Sequence, residues 1–281
     1  MGYYRTRNCS LDEVVLSVLS VVMLLVFLIS AIIPFIAGTE FDGGVIRNKI
    51  MAGFSKPQIY MATYITCFIA TLGLVIFNIL ITVVMLCMGQ GTNNVMKAFE
   101  NHNIEASFIG ALIFMLVIVI GVMSFSCAVT YIVGKKAIAI IACFLIAFIC
   151  AMDPLVIRAY ADDSPEYFTY YDYDTGVKKE IPNEYYLPAG SPLKKLAIAA
   201  DSINVFESGV ILEEGVTFER IYIYDGKEVG KEISAEEYMK MIEGPYEERF
   251  EFNPRYIWGS LAFSVLVTAG GIIIFKKRNI K

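Results

Sequence analysis

Five stretches of this chain run on without a single charged side chain: Val14–Ala37, Pro57–Met96, Ala106–Gly134, Ala137–Met152 and Tyr256–Phe275. A helix rises about 1.5 Å per residue, so about 20 apolar residues cross the roughly 30 Å of hydrocarbon in a bilayer. Four of the stretches meet that length outright. Ala137–Met152 meets it by running on through Asp153 to Ile157. Composition agrees, with 57% hydrophobic residues, 18% charged and a mean hydropathy of +0.60, outside the range of a soluble globular chain. The first stretch is too long for a secretory signal core of about 7–15 residues. Bulky Ile32, Ile33, Pro34 and Phe35 stand where small residues would mark a cleavage site.

The expected fold is an α-helical integral membrane bundle of five spans with an extracytoplasmic α+β domain inserted before the last. Residues 1–157 hold four spans, at about 13–37, 58–88, 106–133 and 137–157, with a connecting segment at 38–57. Residues 158–254 form the inserted domain, and 255–281 the last span and a basic tail.

Sidedness follows from Lys and Arg in short loops. Arg47, Lys49, Lys56, Lys135, Lys136, Lys276, Lys277, Arg278 and Lys281 fall on one side of alternating spans, against Arg5, Arg7 and Lys97 on the other. The nine-to-three excess assigns the tail and the 38–57 segment to the cytoplasm and the amino terminus to the outside. Between Arg158 and Glu251 there are 21 acidic and 10 basic residues, a net of −11 in a chain whose total is −5. That acidic segment is then outside. Tyr167–Tyr171 and Val177–Ile181 around Asp174-Thr-Gly suggest one hairpin, and Val216–Tyr224 closed by Asp225-Gly226 a second. Lys194–Val205 reads as a helix, and Ser234 with Glu237 as the capping box of another through Met241. The tyrosines at 170, 171, 173, 222 and 224 read mainly as strand and core residues.

Several functions are excluded by what the spans lack. Their interiors carry no Asp, Glu, Lys, Arg or His, the groups that couple ions or activate water inside a membrane. The single histidine, His102, sits in a polar loop, and no cysteine pair has metal-ligand spacing. No catalytic residue, metal site or cofactor is expected. The inserted segment has neither His nor Cys, which argues against a membrane-anchored enzyme. Milder polar groups remain: Asn78, Thr82 and Ser124 are candidates for a substrate path, with interhelical hydrogen bonding as the alternative. Ser260, Ser264 and Thr268 make a small-residue stripe, for packing within the bundle or at a dimer seam. No phosphate-binding loop G-x-x-x-x-G-K-[ST] occurs, so energy for uphill movement would have to come from a partner.

The 38–57 segment holds a short amphipathic helix. Ile46 and Ile50 recur at helical spacing, with Met51 beside them and Arg47 and Lys49 on another face. Gly53 suits the residue after the helix, and Ser55 with Pro57 suits the start of the next. A helix lying on anionic lipid has this pattern; so does a helix seated on a partner protein.

Asp42, Gly43, Ile46, Arg47, Asn48, Lys49, Ile50, Gly53, Ser55, Lys56, Ile59 and Tyr60 make this segment resemble the D-G-x-I-R-N-K…G-x-S-[RK]-x-x-I-Y pattern of ABC-2-type transporter permeases of Gram-positive bacteria. Asn183-Glu-Tyr-Tyr-Leu-Pro-Ala-Gly190 is similar to that family more loosely. The resemblance implies a permease subunit in the bacterial cytoplasmic membrane that exports cargo with ATP hydrolysed by a separate subunit, and that is itself no enzyme. Its expected partners are an ABC ATP-binding subunit, a second permease copy or paralogue, and the lipid bilayer, with no nucleic acid. Asp42, Ile46, Arg47, Lys49, Ile50 and Phe54 are then the candidate ATPase contacts. The family has six spans, so the first span here corresponds to its second and a leading helix is lacking. The alternative is a non-transporting sensor or immunity protein that binds a cationic peptide through the acidic domain.

Overall fold

A computed structural model describes residues 22–93, 95–96, 107–152, 160–161, 165–172, 177–206, 218–224, 227–229, 247–252 and 254–278. The bundle consists of α1 (Val22–Asp42), the short α2 (Val45–Met51), α3 (Lys56–Gln90), α4 (Ser107–Val133), α5 (Lys136–Met152) and, at the far end of the chain, α7 (Pro254–Lys277). Between α5 and α7 lie β1 (Tyr167–Asp172), β2 (Val177–Pro182), α6 (Pro192–Ile203), β3 (Phe218–Tyr224), β4 (Lys227–Val229) and β5 (Glu247–Phe252). Helices α1, α3, α4 and α7 are long and apolar enough to cross a membrane, and α5 is a shorter apolar helix. The chain is a multi-pass helical membrane protein.

Hydrocarbon offers the backbone no hydrogen-bond partner, so each apolar run closes its own amide–carbonyl ladder as a helix. Polar side chains within the spans bond to the same ladder: Ser30 to the Val26 carbonyl at 2.8 Å, Thr130 to Ser126 at 2.7 Å, Ser264 to Ser260 at 2.8 Å. Helix α4 is the axis, packed against α1, α3, α5 and α7. Phe114, Met115, Ile118, Val122 and Met123 on α4 are fully buried. The outer helices bury one side only. Ile69, Phe77 and Met88 of α3, Ile141 and Phe148 of α5, and Trp258 and Val265 of α7 point outward, as an apolar solvent allows.

Spans two and three keep their expected limits within two residues. The first runs further than expected, through residues 38–42 to Asp42, so the connecting segment narrows to residues 43–55. Thr39 donates to the Ile36 carbonyl at 2.6 Å and Glu40 pairs with Lys49; neither polar residue ends the helix. The start of that span lies outside the described residues, as do Asp153–Ile157 and the expected 234–241 helix. The Ser260–Ser264 stripe faces inward, both residues buried, which is packing within the bundle.

In the inserted segment both expected hairpins form. β1 and β2 pair antiparallel with Phe168 opposite Ile181, and β3 pairs with β4 on either side of positions 225–226. β5 was not anticipated; it adds to the other edge of β3, with Arg220 opposite Phe250. The two sheets are separate, ordered β1-β2 and β4-β3-β5. Ser191 caps α6 by accepting from the Lys194 amide at 3.2 Å, with Pro192 in its first turn.

The end of α6 is seated on the bundle. Asp201 is fully buried and accepts from Arg255 and from the Tyr256 hydroxyl, the latter at 3.0 Å. Asn204 donates to the Cys150 carbonyl at 3.3 Å, and Phe206 meets Phe125 edge-on at 5.2 Å. Gly259 lets α7 pass directly beneath the Ser202 carbonyl, where any Cβ would collide. Gly259→Ala should therefore destabilise the purified protein by about 1–3 kcal/mol. Gly270→Ala, where a Cβ meets open space, should leave thermal unfolding in detergent unchanged.

Candidate functional site

The α1–α2–α3 connection is built from local signals. Asp42 ends α1, and Gly44, with φ +67°, turns the chain into α2. At the other end of α2 the Gly53 amide donates to the Ile50 carbonyl at 3.0 Å and the Phe54 amide to Lys49 at 3.1 Å. This pair of bonds is the Schellman ending, and it needs the left-handed φ of +92° that Gly53 supplies. Ser55 then opens α3: its amide and hydroxyl both donate to Gln58 Oε1, at 2.9 and 2.8 Å, with Pro57 in the first turn. Two turns thus pin a seven-residue helix between two spans.

Long-range contacts hold this connection to the bundle. Lys49 Nζ reaches Glu40 Oε1 at 2.9 Å, and Lys136 pairs with Asp42 at 3.5 Å. Beneath them Tyr131 of α4 donates to Thr63 Oγ1 at 2.6 Å and lies 3.4 Å from Glu40 Oε2. Its ring contacts Tyr60, Phe41 and Phe275 at centroid distances of 4.8, 5.2 and 4.7 Å, so α1, α3, α4 and α7 meet around one aromatic ring. Arg278 caps α4, donating to the Tyr131 carbonyl at 2.8 Å and the Val133 carbonyl at 3.2 Å. Lys56 caps α7 through the Lys276 and Arg278 carbonyls, at 3.2 and 2.6 Å. Each cation sits on the carbonyl-rich end of a neighbouring helix, where charge is best placed. Gly134 (φ +66°) leaves the space that the Arg278 guanidinium fills.

The candidate contacts separate into two sets. Ile46 is buried, and Ile50, half-buried, packs against the core. Lys49 and Asp42 are engaged in ion pairs. Arg47 and Phe54 are exposed. Met51, one turn beyond Arg47, is 68% exposed and belongs with them. The apolar spacing of Ile46 and Ile50 identified a buried face correctly; which body it is buried against is not written in a periodicity.

The substrate-path candidates are also divided. Asn78 and Thr82 of α3 line a cavity of about 710 Å³ between α1 and α3, with Leu25, Leu28, Leu74 and Phe77 among its walls. Ser124 is elsewhere, bonded to the Tyr64 hydroxyl at 2.8 Å and to the Ile120 carbonyl. Tyr64 lies 14 residues from Asn78, about 21 Å along α3. Ser124 thus serves the α3–α4 contact. Among the described residues no group of His, Cys, Asp and Glu is arranged to hold a metal ion.

No family model, curated protein or solved structure matches this chain.

Arg278 recognises two carbonyls with a planar fork that an ammonium does not reproduce. Arg278→Lys should cost about 1–2 kcal/mol of stability and raise amide exchange across residues 131–136 in hydrogen-exchange mass spectrometry. Exchange in α6 should not change.

Proposed function

We propose that this chain is the membrane permease subunit of an ABC transporter, exporting its cargo with ATP hydrolysed by a separate subunit. The observation that carries the reading is α2. It is a helix of seven residues fixed at both ends between two spans, with Ile46 and Ile50 holding it to the bundle and Arg47, Met51 and Phe54 left open. The twelve-residue likeness to ABC-2-type permeases falls on this same segment. An ATPase seated on the open face would push α2 as it closes on nucleotide. Through Lys49–Glu40 and the Tyr131 ring, that push reaches α1, α3, α4 and α7 together. A second permease copy or paralogue completes the transporter.

The distribution of Lys and Arg supports placing α2, Lys135, Lys136 and the Lys276–Arg278 tail in the cytoplasm. The acidic 158–254 segment is then outside, above a bacterial cytoplasmic membrane. In a background cleared of the six native cysteines, Glu184→Cys should react with a membrane-impermeant maleimide added to intact cells. Arg47→Cys should react only after lysis. The reverse pattern would overturn the orientation.

Protein purified from host membranes in mild detergent should carry ATP hydrolysis. Paired Met51→Glu and Phe54→Glu replacements should remove at least about 90% of it by weakening an apolar anchor. Wild-type protein that is well folded and carries no ATPase would overturn the permease reading.

A further inference from the structure

The cavity between α1 and α3 has a chemistry of its own. At about 710 Å³ it lies within the 300–1,000 Å³ typical of small-molecule sites. Leu28 and Phe77 of its walls are 40% and 62% exposed, so it opens sideways, and on the Leu28 side toward the acyl chains of a bilayer. None of its lining residues is charged. Asn78 and Thr82 are the polar residues in its apolar walls: Asn78 is only 9% exposed, and its Oδ1 is buried without a hydrogen-bond partner. Thr82 does not supply one, because its hydroxyl donates to the Asn78 main-chain oxygen at 3.0 Å. The other buried hydroxyls without partners, Tyr60, Thr71, Ser126, Ser260 and Thr268, do not line this cavity.

A buried amide oxygen in apolar surroundings needs a donor. Asn78 is 22 residues beyond the start of α3 at Lys56, about 33 Å along the axis. A hydrocarbon layer of roughly 30 Å that begins at the α2 end finishes at that level. Leu25, Leu28 and Leu74 line the part of the cavity toward the membrane interior, and Ile81, Met85 and Leu86 the part beyond Asn78. The inner walls therefore suit a chain, and the polar atom sits where a lipid's chain meets its headgroup. A hydroxyl, which both donates and accepts, meets the Asn78 amide in either orientation. A charged headgroup finds no counter-ion among the lining residues.

We infer that this cavity binds an uncharged, hydroxyl-bearing glyceride lipid drawn sideways from the bilayer, its hydroxyl on Asn78 and its chain between α1 and α3. The inference rests on the membrane-bundle fold and needs no ATPase, so its failure and that of the permease reading are separable.

Trp258 is the sole tryptophan and is 69% exposed; replacing it with Phe and making Phe77→Trp gives one reporter in the cavity wall. In reconstituted bilayers, dibromo-acyl monoacylglycerol should quench this reporter saturably. The dibrominated methyl ester of the same chain, which lacks a hydroxyl, should require about a 3- to 10-fold higher mole fraction for half-quenching, as loss of one buried hydrogen bond predicts. Asn78→Leu should abolish the preference, and Asn78→Ser, which keeps a short polar group, should retain part of it. Equal quenching by the two probes in the wild-type cavity would overturn the inference and leave ordinary bilayer chains as its occupant. A preference that survives Asn78→Leu would overturn the role of Asn78.

Discussion

A peptide group inside hydrocarbon has to find its hydrogen bond within the protein, and every other property of this bundle is arranged around that requirement. The apolar runs become helices regardless of intrinsic propensity. Hydroxyls in their interiors fold back onto carbonyls one turn earlier, as Ser30, Thr130 and Ser264 do. Charge, which has no cheap place along the spans, collects at the helix ends. There it can finish what the helices leave unfinished, because the last carbonyls of each helix lack partners in their own ladder. Arg278 and Lys56 take those positions on α4 and α7.

The bundle is tied at both ends, by different chemistry. At the α2 end an aromatic ring, Tyr131, joins four helices, and ion pairs surround it. At the opposite end a fully buried carboxylate, Asp201, is held by Arg255 and Tyr256. A buried charge tolerates no missing partner, so this contact fixes the position of α6 far more stringently than its apolar neighbours do. Between the ends, α4 carries the packing and the outer helices turn apolar faces outward.

Much of this is legible in the residues. Uncharged runs located α3 and α4 within two residues, because length and apolarity are what hydrocarbon selects. Gly53, Ser55 and Pro57 were readable because turn chemistry is local, and so were both hairpins. The continuation of α1 to Asp42 was not: Glu40 looks like the end of a span until Lys49, nine residues later, is seen to neutralise it. The inward turn of Ile46 and Ile50, the Asp201–Arg255 pair and the Arg278 cap all join residues distant in sequence, and spacing along a chain holds no record of such partners. β5, Glu247-Glu-Arg-Phe-Glu-Phe, escaped notice because its charged composition is depleted in strands. Asn78 and Thr82 were readable as polar groups in an apolar helix. Their cavity depends on how far α1 stands from α3.

Helix α3 is bounded at both ends, by Ser55 and Gly91, and its 35 residues reach about 52 Å. A hydrocarbon layer of roughly 30 Å cannot contain that length upright. The helix therefore leans or projects beyond the headgroups, at a fraction of a kcal/mol per Å of mismatch. Membrane thickness thereby becomes a force on the tilt of α3 against its neighbours α1, α4 and α7. A change of lipid chain length would shift that tilt with no ligand bound and no residue altered.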